Sequence, residues 1–319
     1  MNSISNSADQ LSVLAIVGPT ASGKSNLAQK VALALDGEVI SADSMQIYRG
    51  MNIGTAKLSS EEMLVPHHMI DILDPGKPFS VQQYQDEARA IISSLHQQNK
   101  TPILCGGTGL YVQAVLEDMQ FPKGEYESAS RKKYEALRRE KGSDYLWHLL
   151  QNRDPISAEI IHPHNTRRVI RALEMSDEGI SYAEQSRNLK CLPEVFPSLR
   201  FGLSVEPSIL RERIDIRVDA MIENGLLDEV KSLLRSGFKN ALTAKEAIGY
   251  KELVSFLDGA QTFEEAVEQI KIATRRYAKR QRSWFRRDKH IIWIDADSRS
   301  LDEMTEEIVE IYRSTFKRY

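Results

Sequence analysis

One octapeptide constrains the fold of this chain more than any other stretch: Gly18-Pro19-Thr20-Ala21-Ser22-Gly23-Lys24-Ser25. Its spacing, G-x-x-x-x-G-K-[ST], is that of a phosphate-binding loop, in which small residues let backbone N–H groups surround a diphosphate. An apolar run precedes the loop at 11–17, and a helix-like run follows it at 24–35. A buried strand that leads into a helix N-terminus is the usual context of such a loop. The octapeptide therefore predicts an α/β fold with a phosphate site after its first strand, but it does not identify the ligand.

The composition is that of a globular protein. Hydrophobic residues make up 41% of the 319 residues and charged residues 27%, and no apolar run approaches the roughly 20 residues that cross a bilayer. Residues 1–10 are polar and lack the pattern of a signal peptide, so we expect a cytoplasmic protein without a membrane partner. Cys105 and Cys191 are interpreted as free thiols. The net charge of −3 argues weakly against a nucleic-acid partner, because an average conceals local basic patches.

Two further strand ends carry polar groups. Asp43 follows a short strand at 38–41, and Gly106-Gly107-Thr108-Gly109 follows a buried strand at 101–105. Ligands of open α/β sheets bind at the carboxyl ends of the strands, so Asp43 should face the phosphate loop, although a turn or cap aspartate remains an alternative. Nucleotide-hydrolysing proteins with this loop end one such strand in an aspartate that helps hold Mg²⁺. The glycines and Thr108 are better suited to placing a hydroxyl against a bound diphosphate.

The remaining pattern alternates strands and helices. We predict an extended segment at 67–73, a helix at 79–98 capped by Ser80, strands at 199–205 and 290–295, and a helix at 301–316. The helix that Glu206-Pro207 opens carries Arg213 and Arg217 one turn apart. An arginine there could reach the phosphate site, and a surface pair is the competing interpretation. The His67-His68 pair is not expected to bind a metal, because no second ligand pair has suitable spacing.

The alternation stops between 117 and 197, which we interpret as an inserted helical domain within a core formed by 1–116 and 198–319. The insertion is rich in charge, and Asn165 or Thr166 could cap a helix that presents Arg167, Arg168 and Arg171 together. For each of its basic clusters, solvated surface arginines are about as plausible as an RNA contact.

A long helix at 262–287 has distinct faces. Counting 100° per residue gives an apolar stripe that runs from Phe263 through Tyr277 to Trp284. A set of cations lies roughly opposite this stripe: Lys271, Arg275, Lys279, Arg282 and Arg286. A second ribbon of cations lies beside that set: Arg276, Arg280 and Arg287. Because a solvated face normally mixes signs, we predict that this helix binds nucleic-acid phosphates.

With these motifs in order, the sequence resembles the bacterial tRNA dimethylallyltransferases, also called tRNA isopentenyltransferases, over nearly its whole length. The resemblance implies an α/β fold, a P-loop NTPase-like parallel sheet core with an inserted all-helical domain. The matching stretches are 18–25, 41–57, 67–75, 79–91, 102–111, 168–174, 248–253 and 273–284. The insertion matches the family only loosely. No cysteine follows Cys191 in this sequence, so we do not expect the C-terminal zinc finger of eukaryotic members here.

The resemblance also implies a reaction. A dimethylallyl group passes from dimethylallyl diphosphate to the exocyclic 6-amino group of the adenosine 3′-adjacent to the anticodon. The target base is flipped out, since a stacked base hides its amine. Asp43 is expected to act as the general base, and Lys24, the loop amides, Arg217, Thr108 and Mg²⁺ at Ser25 to stabilise the leaving diphosphate.

The resemblance places the tRNA anticodon stem-loop against two sets of residues. The expected contacts of the flipped base are Asp43, Ser44, Met45 and Gln46. The expected contacts of the rest of the RNA are Arg131, Arg167, Arg168, Val169, Ile170, Arg171, Lys279 and Arg282. We expect the protein to act as a monomer.

Three other functions remain to be weighed. A small-molecule kinase would also have the phosphate loop, but the missing strand-end aspartate and the basic helix argue against it. A noncatalytic RNA-binding module would not need Asp43 beside a phosphate loop. A helical prenyl-diphosphate synthase is excluded, because Asp71 and Asp74 are isolated and do not form the paired acidic motifs of that class.

Overall fold

The computed structural model describes residues 12–121, 128–188, 192–235, 238 and 244–316. Cys191 lies outside these residues, whereas Cys105 is a buried free thiol, as predicted. The chain divides into two compact units, which are described separately. The core comprises 1–117 and 194–319, and the helical unit comprises 118–193.

The core is built on one six-stranded sheet in which every pair of neighbours is parallel. Its strands are β1 (Val13–Val17), β2 (Gly37–Ser41), β3 (His67–His68), β4 (Thr101–Gly106), β5 (Ser198–Ser204) and β6 (Ile291–Asp295). The strand order is β3-β2-β4-β1-β5-β6. Each residue of β1 has 0% exposure, as a central strand covered on both faces requires. The predicted α/β parallel-sheet core is therefore confirmed.

Helices cover the sheet and form the second unit. The helices are α1 (Lys24–Ala34), α2 (Val81–Gln97), α3 (Gly109–Leu116), α4 (Ala129–Arg153), α5 (Pro155–Ile160), α6 (Thr166–Asp177), α7 (Tyr182–Asn188), α8 (Pro207–Glu223), α9 (Leu226–Arg235), α10 (Tyr250–Leu257), α11 (Phe263–Phe285) and α12 (Leu301–Thr315). Local sequence explains several of their starts. Ser80 caps α2 as predicted, Thr262 caps α11, and the side chain of Asn165 rather than Thr166 caps α6. None of the described helices is long and apolar enough to cross a bilayer.

The helical unit has its own small hydrophobic core. Tyr134 and Leu150 of α4 pack there with Leu173 of α6, and all three side chains are fully buried. Val169 and Ile170, which were predicted to contact RNA, belong to the same cluster at 0% and 1% exposure. That prediction is corrected, because side chains buried in this core serve packing and are not accessible to RNA.

The predicted extended segment at 67–73 is shorter than expected. Strand β3 contains only His67–His68, and Leu73 forms an isolated bridge to Tyr48. Met69 and Asp71 have φ values of 60° and 54°, in the left-handed region, so the backbone cannot continue as a strand. The apolar pattern of this segment reflects its packing, and it does not extend the sheet.

Arg200 of β5 is almost completely buried, with a side chain that is 2% exposed. Its guanidinium donates to Glu117 at 3.0 Å, to Glu194 at 2.6 Å and to Asp288 at 2.7 Å. Burial works against the charge of Asp288, but hydrogen bonds from His290 and Arg200 hold the pKa of that carboxyl below its ordinary value. Arg200 thus neutralises three carboxylates from three different parts of the core chain.

We expect Arg200→Met to destabilise the protein by up to about 3–5 kcal/mol at neutral pH, because it removes a buried cation and leaves three clustered, partly exposed carboxylates without it. Urea unfolding would measure the loss. The contribution of Asp288, whose folded-state pKa is depressed, is complete above the ordinary carboxyl pKa and is lost as the pH falls through the folded-state pKa. The variant should therefore approach the wild type in stability as the solution becomes more acidic.

Arg49→Met is the matched control, because Arg49 pairs with Asp74 on the surface, where both side chains are more than half exposed. It should cost no more than about 1 kcal/mol. Equal losses in the two variants would contradict a special role for the buried cluster.

Candidate active site

The phosphate loop joins β1 to α1 with the geometry that its sequence predicts. Gly23 has a φ of 89° and lies immediately before Lys24, the first residue of α1, so the loop turns directly into a helix N-terminus. A Cβ on Gly18 would lie 3.0 Å from the Ser22 hydroxyl. That hydroxyl is buried and has no hydrogen-bond partner among the described residues. The loop thus presents an unsatisfied hydroxyl together with the N-terminus of α1.

The charge of the Lys24 side chain interacts with three neighbouring side chains, those of Cys105, Arg217 and Asp43. Burial lowers its pKa from the ordinary value, Cys105 and Asp43 raise it, and the positive charge of Arg217 lowers it. Its Nζ donates to the Pro19 carbonyl oxygen at 3.2 Å, within the same loop. A lysine and an arginine are therefore concentrated near the loop, together with one carboxylate.

Arg217 of α8 is the second cation of the site. Burial lowers its pKa, and the negative charge of Asp43 partly opposes this shift. Within the described part of the chain it forms neither an ion pair nor a hydrogen bond. Arg213, one turn earlier, pairs with Asp297 at 3.1 Å. Spacing alone left the two arginines equivalent, and the resemblance selected Arg217. In the structure Arg217 is the one whose charge interacts with Asp43 and that forms no ion pair with a described residue.

Asp43 and Thr108 lie at the ends of neighbouring strands, β2 and β4. Asp43 Oδ1 accepts the Met45 N–H at 2.9 Å, and Oδ2 accepts no hydrogen bond within the described ranges. Thr108 donates its N–H to the Ala42 carbonyl at 3.0 Å, and its Oγ1 accepts the Ser44 N–H at 3.1 Å. The two loops are therefore fixed to each other through the backbone, and one carboxylate oxygen remains available to a substrate.

Close contact between these loops depends on glycine. A Cβ on Gly106 would lie 2.2 Å from the Ala42 carbonyl oxygen. A Cβ on Gly107 would lie 2.1 Å from Nε2 of Gln281, a residue of α11. Only glycine fits at 106, where backbone atoms of the other loop occupy the space, whereas at 107 the blocking atom is the end of the Gln281 side chain.

The residues predicted to contact the flipped base differ in whether their side chains are available to a substrate. Ser44 and Met45 are half-buried beside Asp43, in positions that a substrate can reach. The Gln46 side chain already has partners at both ends, since Ser41 Oγ donates to its Oε1 at 3.0 Å and its Nε2 donates to the Thr55 carbonyl at 3.2 Å. Its predicted contact with a base stays a prediction, and its visible role is to hold its own loop.

The predicted RNA contacts of the helical unit also differ in their surroundings. Arg167 and Arg168 are exposed at the start of α6. Arg131 and Arg171 converge on the buried Glu174, at 3.6 Å and 3.8 Å. These two arginines compensate a buried carboxylate, so Arg167 and Arg168 are the members of the set that face solvent.

The basic face of α11 separates into two halves. Lys271 pairs with Asp219 at 2.6 Å, and Arg275 forms a bidentate pair with Asp215. These two cations were predicted to await phosphates, and that prediction is wrong for them, because acidic residues of α8 neutralise them. The cations of the second half form no ion pair with a described residue: Arg276, Lys279, Arg280, Arg282, Arg286 and Arg287.

Two residues of α11 near the site were not identified from the sequence as site residues. Burial, together with the charge of Asp43, raises the pKa of Tyr277 to about 12. Gln281 is 5% exposed, and its side chain is hydrogen-bonded to Thr20 in the phosphate loop and to Gly107 in the loop after β4. Both positions lie on the apolar stripe of α11, and a glutamine on such a stripe is the signal that indicates a buried polar role.

Comparisons with known proteins show which family the chain resembles. A model described as IPP transferase matches residues 46–288, and one described as isopentenyl transferase matches residues 11–70. A tRNA dimethylallyltransferase from Carboxydothermus hydrogenoformans is 47% identical over 301 residues, which are 93% of this chain and 96% of that protein. One from Halalkalibacterium halodurans is 45% identical over 298 residues, which are 93% and 95% of the two chains.

Solved structures are similar over most of the chain. The full-length tRNA isopentenylpyrophosphate transferase from Bacillus halodurans has a TM-score of 0.72 and 41% identity, with 97% of each chain covered. A eukaryotic dimethylallyltransferase acting on tRNA has a TM-score of 0.78 and 29% identity, covering 95% of this chain and 78% of that one. The family model spans more than half of the chain, and its relatives match almost end to end, so this chain belongs to the IPP transferase family.

Proposed function

We propose that the chain is a tRNA dimethylallyltransferase. It transfers a dimethylallyl group from dimethylallyl diphosphate to the exocyclic 6-amino group of the adenosine 3′-adjacent to the anticodon, in tRNAs that read codons beginning with U, and releases diphosphate. The names of its relatives support this proposal. The structural observation that carries it is one carboxylate, Asp43, within electrostatic reach of the two cations Lys24 and Arg217. The reaction requires a proton acceptor beside a diphosphate site.

The diphosphate site holds the leaving group. As the bond between the dimethylallyl carbon and the bridging oxygen breaks, negative charge develops on the diphosphate. Lys24, Arg217 and the N-terminus of α1 stabilise that charge because they are already in place before the reaction. The Ser22 hydroxyl, which has no described partner, is available to the same oxygens. Thr108 lies on the neighbouring loop and is proposed to contact the bridging oxygen.

The residues at the start of α1 are suited to Mg²⁺. Ser25 is half-exposed there, and its hydroxyl makes no hydrogen bond with the described part of the chain. A hydroxyl oxygen is a ligand that Mg²⁺ accepts, and in phosphate sites this ion takes most of its other ligands from the phosphates and from water. Ser25 would therefore hold the ion, and the ion, when bound, would neutralise charge on the diphosphate.

Asp43 accepts the proton from the adenine amine. A new bond forms between this nitrogen and the dimethylallyl carbon, and the nitrogen must then lose a proton. Asp43 Oδ2 accepts no hydrogen bond within the described ranges and can take the proton, while Oδ1 is held by the Met45 N–H. A stacked base hides its amine, so the adenosine is flipped out towards Asp43, Ser44 and Met45.

The RNA is proposed to lie on two basic surfaces. On the core, the unpaired cations of α11 include Lys279 and Arg282, and on the helical unit Arg167 and Arg168 are exposed. Phosphate contacts of this kind supply affinity and register, whereas the flipped base supplies specificity. Action as a monomer and location in the cytoplasm remain predictions from the sequence.

Asp43→Asn should lower the rate of transfer by about 10²–10⁴ and leave tRNA binding within a few-fold of the wild type, because only the proton acceptor is lost. The measurement uses unmodified tRNA with radiolabelled dimethylallyl diphosphate, and ATP in a parallel assay. Asp74→Asn is the control, since Asp74 lies on the surface in a pair with Arg49. Consumption of ATP in place of the prenyl donor would refute the proposed function, and a fully active Asp43→Asn would refute the proposed base.

Arg217→Gln should lower kcat by about 10²–10³, since it removes a charge aimed at the leaving diphosphate. Arg213→Gln is a matched control on the same helix and should change kcat no more than a few-fold, because Arg213 is occupied by Asp297. Steady-state kinetics with dimethylallyl diphosphate would measure both. Similar losses in the two variants would show that Arg217 has no special place at the site.

Neutralising Lys279 and Arg282 together to glutamine should weaken tRNA binding and reduce the slope of log affinity against log salt by about 1–2. The control is the Lys271→Gln and Arg275→Gln pair, whose charges are already neutralised by Asp219 and Asp215. Filter binding at several salt concentrations would give the slopes. An unchanged slope in the first double variant would exclude these two cations from the RNA interface.

A further inference from the structure

The side chain of Gln281 links the two loops of the site. It is 5% exposed, its Oε1 accepts the Thr20 N–H at 2.9 Å, and its Nε2 donates to the Gly107 carbonyl at 3.0 Å. Thr20 belongs to the phosphate loop after β1, and Gly107 to the loop after β4. One amide from α11 therefore satisfies a donor in one loop and an acceptor in the other.

An amide is the side chain that this position requires. Thr20 offers an N–H and Gly107 offers a carbonyl oxygen, so the group between them must accept at one end and donate at the other. A carboxylate could only accept, and an aliphatic side chain would leave the buried Gly107 carbonyl and the partly buried Thr20 N–H without this partner. The identity of residue 281 is thus fixed by both loops at once.

The contact between α11 and the second loop, residues 106–109, extends over about one turn of the helix. A Cβ on Gly107 would lie 2.1 Å from Gln281 Nε2, and a Cβ on Gly109 would lie 2.1 Å from Cδ1 of Trp284. Gln281 and Trp284 are three residues apart, so they share one face of the helix. The helix therefore packs directly on the backbone around Thr108, and a displacement of the helix must be transmitted to that backbone.

The same stretch of α11 carries the unpaired cations. Lys279 and Arg280 precede Gln281, Arg282 follows it, and none of the three forms an ion pair with a described residue. Phosphates bound by these cations would act on the helix within one turn of the amide that holds both loops. Two binding events are therefore connected through one rigid element and one side chain.

We propose that Gln281 is a positioning residue that couples RNA binding on α11 to diphosphate binding at the loop 18–25. The identity of the two ligands rests on the proposed function. The coupling is reciprocal: bound tRNA strengthens the binding of diphosphate, and diphosphate strengthens the binding of tRNA by the same factor. The complex that holds both substrates is therefore favoured over the complexes that hold only one.

The test measures the dissociation constant of inorganic diphosphate with Mg²⁺ by calorimetry, with and without saturating unmodified tRNA, on the full chain. In the wild type we expect tRNA to tighten diphosphate binding at least about 5-fold. In Gln281→Met, which keeps the approximate volume, this ratio should fall towards one, while the affinity for tRNA alone changes less than about 2-fold. A merely structural role would lower stability without changing the ratio.

Gln85→Met is the matched control. Gln85 is also 5% exposed and donates its Nε2 to a backbone carbonyl, that of Ala114 in the body of α3, at 2.7 Å. Gln85→Met should lose as much stability as Gln281→Met, but tRNA should still tighten diphosphate binding by the wild-type factor. Gln281→Glu supplies a rescue, because a protonated carboxyl can both accept and donate a hydrogen bond. As the pH is lowered, the factor by which tRNA tightens diphosphate binding in this variant should therefore rise towards that of the wild type.

Three outcomes would overturn the coupling: a wild-type ratio of one, an unchanged ratio in Gln281→Met, or an equal loss in Gln85→Met. Failure of the proposed function is distinguishable from these, because a wild type that binds neither tRNA nor diphosphate refutes that function, and the coupling with it. Binding of both ligands without coupling leaves the proposed function intact and removes only the role of Gln281.

Discussion

The structure depends on hydrogen bonds that tie together the ends of strands β2 and β4. Ala42 donates its N–H to the Cys105 carbonyl at 2.7 Å and accepts that of Thr108 at 3.0 Å, while Thr108 Oγ1 accepts the Ser44 N–H at 3.1 Å. These bonds run between backbones or from backbone to a short side chain, so they leave little freedom. A proton acceptor and a hydroxyl are thereby held in register beside the phosphate loop. Such advance placement removes the reorganisation that charges in water must undergo.

The cations of the core fall into two groups, according to whether they form an ion pair with a described acidic residue. The cations of α8 and α11 that meet acidic residues, such as Arg213, Lys271 and Arg275, hold elements of the core together. Those without a described ion pair, such as Arg217 and Lys279, lie where phosphates are proposed to bind. A buried or clustered cation without a counter-ion is unfavourable in the free protein, and a bound phosphate relieves that cost. The net charge of −3 conceals this division.

Features set by local sequence were predicted well. The phosphate loop, strands β1, β2 and β4 and the cap at Ser80 follow from periodicity and from residues a few positions apart. Features set by distant partners were not predicted.

Arg275 meets Asp215 sixty residues away, and Gln281 meets Thr20 at an even greater separation, so no local pattern could reveal either contact. The burial of Val169 and Ile170 was missed for the opposite reason, since the arginines on either side of them dominated the interpretation.

The Arg200 cluster also bears on how the chain tolerates change. Glu117 and Glu194, which Arg200 binds together, are the last core residue before the helical unit and the first one after it. Because the core itself holds these two ends, the length of the segment between them matters little to the sheet. Doubling a flexible loop raises its closure cost by only about 0.6 kcal/mol. This junction is therefore a place where evolution can lengthen, shorten or exchange a whole module without rebuilding the strands that carry the chemistry.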